Sequence, residues 1–212
     1  MVVIIFDLET SGLNPYHDDI IEIGAKVYNT DNSFQTLLKP KSNRLISKKI
    51  TEITGITNKM LRNEGKPWVT AYNEFYNWLY EVTNPSVLSE GEKVTIVAHN
   101  GLTFDFIFLR RLLKDLSNES GSISRWFYEE FPQFILVDTL LLSRRLLPDR
   151  SYYSQPALAR TFQILIDNAH RAMGDVIVLE QIYTKLLLEL EKVKINGLIE
   201  PDKILEYIDL KI

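Results

Sequence analysis

The opening strand constrains this chain more than any other stretch. Val2 to Phe6 is an unbroken apolar run rich in β-branched residues, which fits a strand covered on both faces. It leads directly into Asp7-Leu8-Glu9. Side chains alternate across a strand, so Asp7 and Glu9 project to one side and Leu8 to the other. Two like charges at the end of a buried strand repel each other and resist burial unless a cation holds them. An isolated Asp-x-Glu is most simply a strand end with solvated acids, and a working site needs partners from elsewhere in the chain.

Beyond these acids, strands and helices alternate. Asn14-Pro15-Tyr16-His17-Asp18-Asp19 is turn-rich. Ile20 to Tyr28 reads as a second strand, with Ile21, Ile23, Ala25 and Val27 alternating against Glu22, Gly24, Lys26 and Tyr28. After a turn at Thr30-Asp31-Asn32-Ser33, Phe34 to Leu38 reads as a third, and the short connections predict an antiparallel meander. Ser47 to Thr54 predicts a short helix stopped by Gly55, and Thr57 caps another through Leu61. Trp68 to Glu81 carries Trp68, Ala71, Tyr72, Phe75, Trp78 and Leu79 at helical spacing. That stripe is a core face, since an aromatic platform for nucleic acid would be joined to a basic groove.

Val94 to Ala98 predicts a fourth strand, Thr103 to Leu113 an amphipathic helix, and Ser122 to Glu130 another helix. Phe134 to Val137 is the last strand, followed by a helix from Asp138 to Leu146. Leu147 to Pro156 reads as a loop, Gly174 to Val193 as a long helix, and Pro201 as the start of a short terminal one. A three-strand meander followed by α-β-α-β-α predicts an α/β fold on a mixed five-stranded sheet flanked by helices. The 212 residues are 45% hydrophobic and show no repeat or linker. One domain over residues 1–212 is expected, with a core from about residue 2 to 193 and a C-terminal extension from about 195.

Three further positions can complete a site at Asp7 and Glu9. Asp105 follows a buried strand and opens a helix, where the helix dipole favours an ionised acid. Asp175 opens the long C-terminal helix in the same way, and either acid alone is an ordinary helix-start residue. His170 stands five positions before Asp175. On one continuous helix the two side chains would lie about 140° apart, so they converge only if His170 precedes the helix. Of the other two histidines, His17 reads as a surface or packed residue and His99 ends a strand. Four acids and a histidine on separate elements form a pattern. Carboxylate oxygens select hard cations, Mg²⁺ or Mn²⁺, over zinc. Two such ions roughly 4 Å apart can activate a water and stabilise the leaving oxygen of a phosphodiester. A neutral imidazole is a suitable base for that water.

These stretches resemble the DEDDh, or DnaQ-like, 3′→5′ exonucleases of the ribonuclease H-like superfamily. Phe6-Asp7-Leu8-Glu9-Thr10-Ser11-Gly12-Leu13 resembles the first family motif, and Ala98-His99-Asn100-Gly101-Leu102-Thr103-Phe104-Asp105 the second. His170-Arg171-Ala172-Met173-Gly174-Asp175 resembles the third, in its histidine form, and Ile53-Thr54-Gly55-Ile56-Thr57 the nucleotide-contacting loop. The likeness runs in order from about residue 2 to 190, with motif wording closest to the TREX branch. It implies that Asp7 bridges two Mg²⁺ ions, with Mn²⁺ able to substitute, and that Asp175 helps hold the water-activating ion. Glu9 and Asp105 would serve the other ion, Asp105 directly or through water, and His170 would be the general base. Thr10, Gly12, Leu13, Thr54 and Ile56 would flank the terminal nucleotide, with His99 and Asn100 near the scissile phosphate.

The implied activity is release of 5′-mononucleotides from a 3′ end, of DNA in the first instance. RNA is the alternative substrate, because nothing here reads a 2′-hydroxyl explicitly. A polymerase-associated proofreader is a further alternative, and a non-catalytic nucleic-acid-binding module conflicts with the complete set of acids. The net charge of −4 is not that of a basic nucleic-acid binder, though clustered metal-binding carboxylates inflate the negative count. The absence of cysteine excludes disulfides and thiolate chemistry and suits an intracellular setting. The short apolar start runs straight into acids, unlike a signal peptide, and no stretch approaches the roughly 18 apolar residues of a membrane span. A second copy of the chain or a polymerase is the protein partner left open.

Overall fold

The strand that begins the chain occupies the centre of the sheet. In the computed structural model, which describes residues 2–83, 93–120, 134–166 and 171–195, β1 (Val2–Thr10) lies between an antiparallel and a parallel neighbour. β2 (Ile20–Val27) and β3 (Ser33–Leu37) complete the antiparallel meander, while β4 (Val94–Ala98) and β5 (Ile135–Asp138) run parallel to β1. The order is β3-β2-β1-β4-β5, the mixed five-stranded sheet expected from the element pattern. A central strand is paired at both edges and covered on both faces, which is why Val3 to Phe6 are all buried.

Helices cover the two faces in separate layers. On one face Ile4, Phe6 and Leu8 pack with α3 (Trp68–Thr83) and α4 (Asp105–Ser120), through Tyr72, Phe75, Leu79, Phe106, Leu109 and Leu112. Phe75 lies 5.8 Å from the Phe6 ring and stacks on Trp78, so the aromatic stripe of α3 is core. On the other face Val3 and Ile5 pack with α5 (Thr139–Leu146), α6 (Gln155–Thr161) and α7 (Ala172–Ile195). The short α1 (Lys48–Thr54) and α2 (Asn58–Asn63) close a third cluster around Ile21, Leu37 and Ile56. Ser47 and Thr57 cap these two helices, and Gly55, at φ 69°, ends the first in a left-handed conformation.

Four details depart from the sequence reading. β2 does not alternate between core and solvent: Ile20 to Ala25 are all buried, because α7 covers the face that carries Glu22 and Gly24. A single 3₁₀ turn at Gly101–Thr103 precedes α4, which therefore starts at Asp105 rather than Thr103. The stretch read as a loop up to Pro156 contains the start of α6, since proline at the first turn of a helix forfeits only an N–H that has no partner there. α7 starts at Ala172, two residues before Gly174, because the Glu22 carboxylate accepts the Ala172 N–H at 3.0 Å. The expected helices at Ser122–Glu130 and from Pro201 lie outside the described residues.

Gly24 sets how closely α7 approaches. A Cβ there would come 2.7 Å from the Ala172 carbonyl carbon and 2.9 Å from the Ala172 Cβ, closer than packed carbon atoms tolerate. Gly24→Ala should therefore destabilise the chain by about 1–3 kcal/mol, the usual range for overpacking. Urea unfolding measures this, and an unchanged midpoint would contradict the close approach.

Candidate metal and nucleic-acid site

The alternation of β1 decides where its acids point. Asp7 and Glu9 share the parity of Val3 and Ile5, which face α7, while Leu8 joins the opposite layer. Asp175 stands in the first turn of α7. Carboxylate oxygens of Asp7, Glu9 and Asp175 lie within 4.8 Å of one another, so the sequence-predicted acids of the first and third motifs converge.

Asp105 arrives from another direction. β4 pairs with β1 only from Val2 to Ile5, whereas β1 continues to Thr10. The Leu8 N–H, beyond the reach of β4, donates instead to Asp105 Oδ1 at 3.1 Å. Asp105 thus takes the place of a strand neighbour and is buried beside the end of β1.

Electrostatics bear out the crowding. Burial, followed by the charges of Asp105, Asp175, Glu9 and Glu22, pushes the Asp7 carboxyl well above the usual range. Burial, then Asp175, Glu22 and Asp105, raises Glu9 to about 8, and Arg171 opposes this as the smallest of the influences. Asp105 is raised to about 7 by burial, against the backbone N–H bonds that favour its charged form. Half-buried, mutually repelling oxygens of this kind are the donor set of a hard divalent cation, whose charge would return them to the ionised state.

The carboxyl ends of the parallel strands supply the surroundings. His99, at the end of β4, makes a 2.9 Å hydrogen bond between Nδ1 and Thr139 Oγ1, and burial lowers its pKa to about 4. It is a neutral ring at neutral pH. Asn100 is exposed, with φ 62°, and its N–H donates to Asp138 Oδ1 at 3.0 Å. Asp138 also accepts from Leu102 and caps α5 through Leu140, so one buried acid fixes both the His99–Leu102 turn and a helix start. The sequence signal for this role was an acid ending a buried strand. Glu22, also missed, announced itself as a charge inside the apolar run Ile20-Ile21-Glu22-Ile23.

The expected nucleotide-binding residues divide into two sets. Leu13 is 83% exposed at the mouth of the β1–β2 turn, and Thr10 Oγ1 donates to the Gly12 carbonyl at 2.6 Å, tying the turn back on itself. Thr54 and Ile56, by contrast, have interior side chains: Ile56 is fully buried against Ile21 and Leu61, and the Thr54 hydroxyl donates to the Ile50 carbonyl. The loop presents Ile53 and Gly55 to solvent instead. His170 lies outside the described residues.

A family model described as an exonuclease, of the RNase T type, matches residues 4–183. PolC-type DNA polymerase III of Thermotoga maritima is 34% identical over 209 residues, covering 97% of this chain and 13% of the polymerase. Exonuclease DPD1, chloroplastic/mitochondrial, of Arabidopsis thaliana is 31% identical over 205 residues, covering 90% of this chain and 58% of DPD1. The chain thus spans a small part of the first relative and little more than half of the second. The likeness to the TREX branch rests on motif wording alone. Among solved structures, E. coli Exonuclease I in complex with a dT13 oligonucleotide superposes with a TM-score of 0.69 at 19% identity, over 92% of this chain and 42% of that one. Exonuclease X in complex with 5′ overhanging duplex DNA superposes with a TM-score of 0.55 at 23% identity, over 97% of this chain and 98% of that one. At such identities the structures speak for the fold, which is ribonuclease H-like. With the family model matching nearly the whole of the described core, the chain belongs to the RNase T-type exonucleases, within the DnaQ-like group of the ribonuclease H-like superfamily.

Proposed function

We propose that this chain is a DEDDh-type 3′→5′ exonuclease that releases 5′-mononucleotides from the 3′ end of DNA. The observation that carries the reading is the convergence of Asp7, Glu9 and Asp175 within 4.8 Å at the end of a buried strand, with Asp105 bonded alongside. These acids would hold Mg²⁺, with Mn²⁺ able to substitute. When bound, such ions lower the pKa of a water and neutralise charge on the phosphate oxygens. The chain's own groups do the rest. Leu8 fixes the Asp105 carboxylate, and the His99 ring, kept neutral by burial, is held at the end of β4 by Thr139. His170, five residues before Asp175, takes the proton of the attacking water. The exposed Leu13 offers an apolar flank to the terminal base.

DNA is favoured because Exonuclease I and Exonuclease X, which share the fold, are described with DNA bound. A second reading, proofreading within a polymerase assembly, draws on the identity to PolC-type polymerases. A panel of 3′-labelled single-stranded DNA, duplex DNA and RNA tests the first reading. Stepwise release of mononucleotides from DNA 3′ ends is expected, and degradation of RNA alone, or from 5′ ends, would overturn it.

Two substitutions probe the roles. Asp7→Asn should lower Mg²⁺-dependent turnover by at least about 100-fold, since it removes a ligand the ions would share. His170→Ala should cost roughly 100- to 10,000-fold, the usual worth of a general base, and should flatten the loss of rate at acid pH. Wild-type rates in either variant would contradict its assignment.

The raised acids also set a pH trend for the chelated protein. Glu9 binds its proton more tightly in the folded chain, up to about 8 against an ordinary 4.5, so its contribution is fully present at low pH and is lost as pH rises through that window. Divalent ions compete with those protons. The rise in melting temperature caused by Mn²⁺ should therefore be larger at pH 8 than at pH 5.5, as scanning calorimetry would measure. An equal or smaller rise at pH 8 would count against metal binding by these acids.

A further inference from the structure

Glu22 is a fully buried carboxylate outside the proposed ligand set. It stands on β2 directly opposite Glu9, and cross-strand partners share a face of the sheet, so it too faces α7. Burying a charge is costly unless it is paired and hydrogen-bonded, and here every partner is visible. Arg171 donates from Nε at 3.2 and 3.1 Å to the two carboxylate oxygens and from Nη2 to Oε1 at 2.7 Å. Gln35 donates to Oε1 at 2.9 Å, and the Ala172 N–H, the first of α7, donates to Oε2 at 3.0 Å. One turn on, the Asp175 N–H donates to the Arg171 carbonyl at 2.9 Å. The carboxylate of Glu22, the head of α7 and the backbone of Asp175 form one continuous chain of bonds.

We propose that Glu22 and Arg171 are a positioning pair that sets Asp175 against Asp7 and Glu9, and so fixes the affinity of the acidic cluster for its divalent ion. The proposal rests on the metal-dependent reading above. A second strap between the same elements supplies the contrast: Lys26 pairs with Glu180 at 2.6 Å, on the same strand face and further along α7. If the Glu22–Arg171 pair merely glued β2 to α7, the two straps would be equivalent. The arrangement predicts that they are not, because only Arg171 and Ala172 lie within one helical turn of Asp175.

The test is calorimetric titration of Mn²⁺ into the full chain and its variants, with urea unfolding run in chelator alongside. Partners that orient a metal ligand typically contribute about 10- to 100-fold in metal affinity. Arg171→Gln should weaken Mn²⁺ binding by at least about tenfold on that scale and lower kcat with little change in KM. Arg171→Lys, which keeps the charge without the two-pronged bond, should recover part of the loss. Lys26→Met should lower the urea midpoint while leaving Mn²⁺ affinity unchanged. Glu22→Gln should behave like Arg171→Gln, and if it does not fold, the more exposed Arg171 variants decide alone. Wild-type Mn²⁺ affinity in Arg171→Gln, or an equal loss in Lys26→Met, overturns the positioning role. Absence of Mn²⁺ binding in the wild-type chain overturns the metal-dependent reading together with it.

Discussion

Everything near the site follows from the cost of placing like charges at the end of a buried strand. Burial is the leading cause of the raised pKa of Asp7, Glu9 and Asp105, and the charges of Asp105 and Asp175 add to it at both Asp7 and Glu9. A fold chosen for stability alone would separate such groups or replace them with apolar residues, since buried charge is weak evidence for stability. This chain instead holds them together with packing on both faces of β1, where Ile4, Ile5 and Phe6 are almost completely buried. The strain is local and electrostatic, the compensation is distributed and apolar, and a divalent cation is the species that would relieve the first without disturbing the second.

The sheet makes the opening that the acids occupy. β4 stops pairing with β1 at Ile5, four residues before Glu9, and that gap leaves room for a ligand at the carboxyl ends of three parallel strands. Two buried acids finish the backbone that the missing strand would have paired. Asp105 accepts from Leu8 on β1, and Asp138 accepts from Asn100 and Leu102 beyond β4. Asp105 therefore has a structural task of its own. Its hydrogen bond to Leu8 ties the first turn of α4 to the strand carrying Asp7 and Glu9.

Much of this was legible in the sequence. Strand parity put Asp7 and Glu9 on one face, cap residues marked the short helices, and it was the resemblance to the exonuclease motifs, not spacing, that grouped Asp175 with them. The failures share one physical cause: a linear pattern does not say what covers a face. Glu22 and Gly24 sit at the polar positions of an alternating strand, yet both are covered because α7 lies over them. Pro156 looked like a loop residue because its place in a first turn depends on where the helix begins.

The close approach of α7 links these points. Gly24 pairs with Asp7 in the sheet register, and Ala172 rests directly on Gly24. A larger side chain at either position would push the helix head outward, and Asp175, one turn away, would move with it. Small residues are thus required where the acids converge, while the electrostatic anchor between Glu22 and Arg171 prevents the same helix from sliding along the sheet. Steric contact sets the height of Asp175 above β1, and the ion pair sets its position along β2. The distance among the carboxylates then results from two different physical constraints, each acting through the first turn of a single helix.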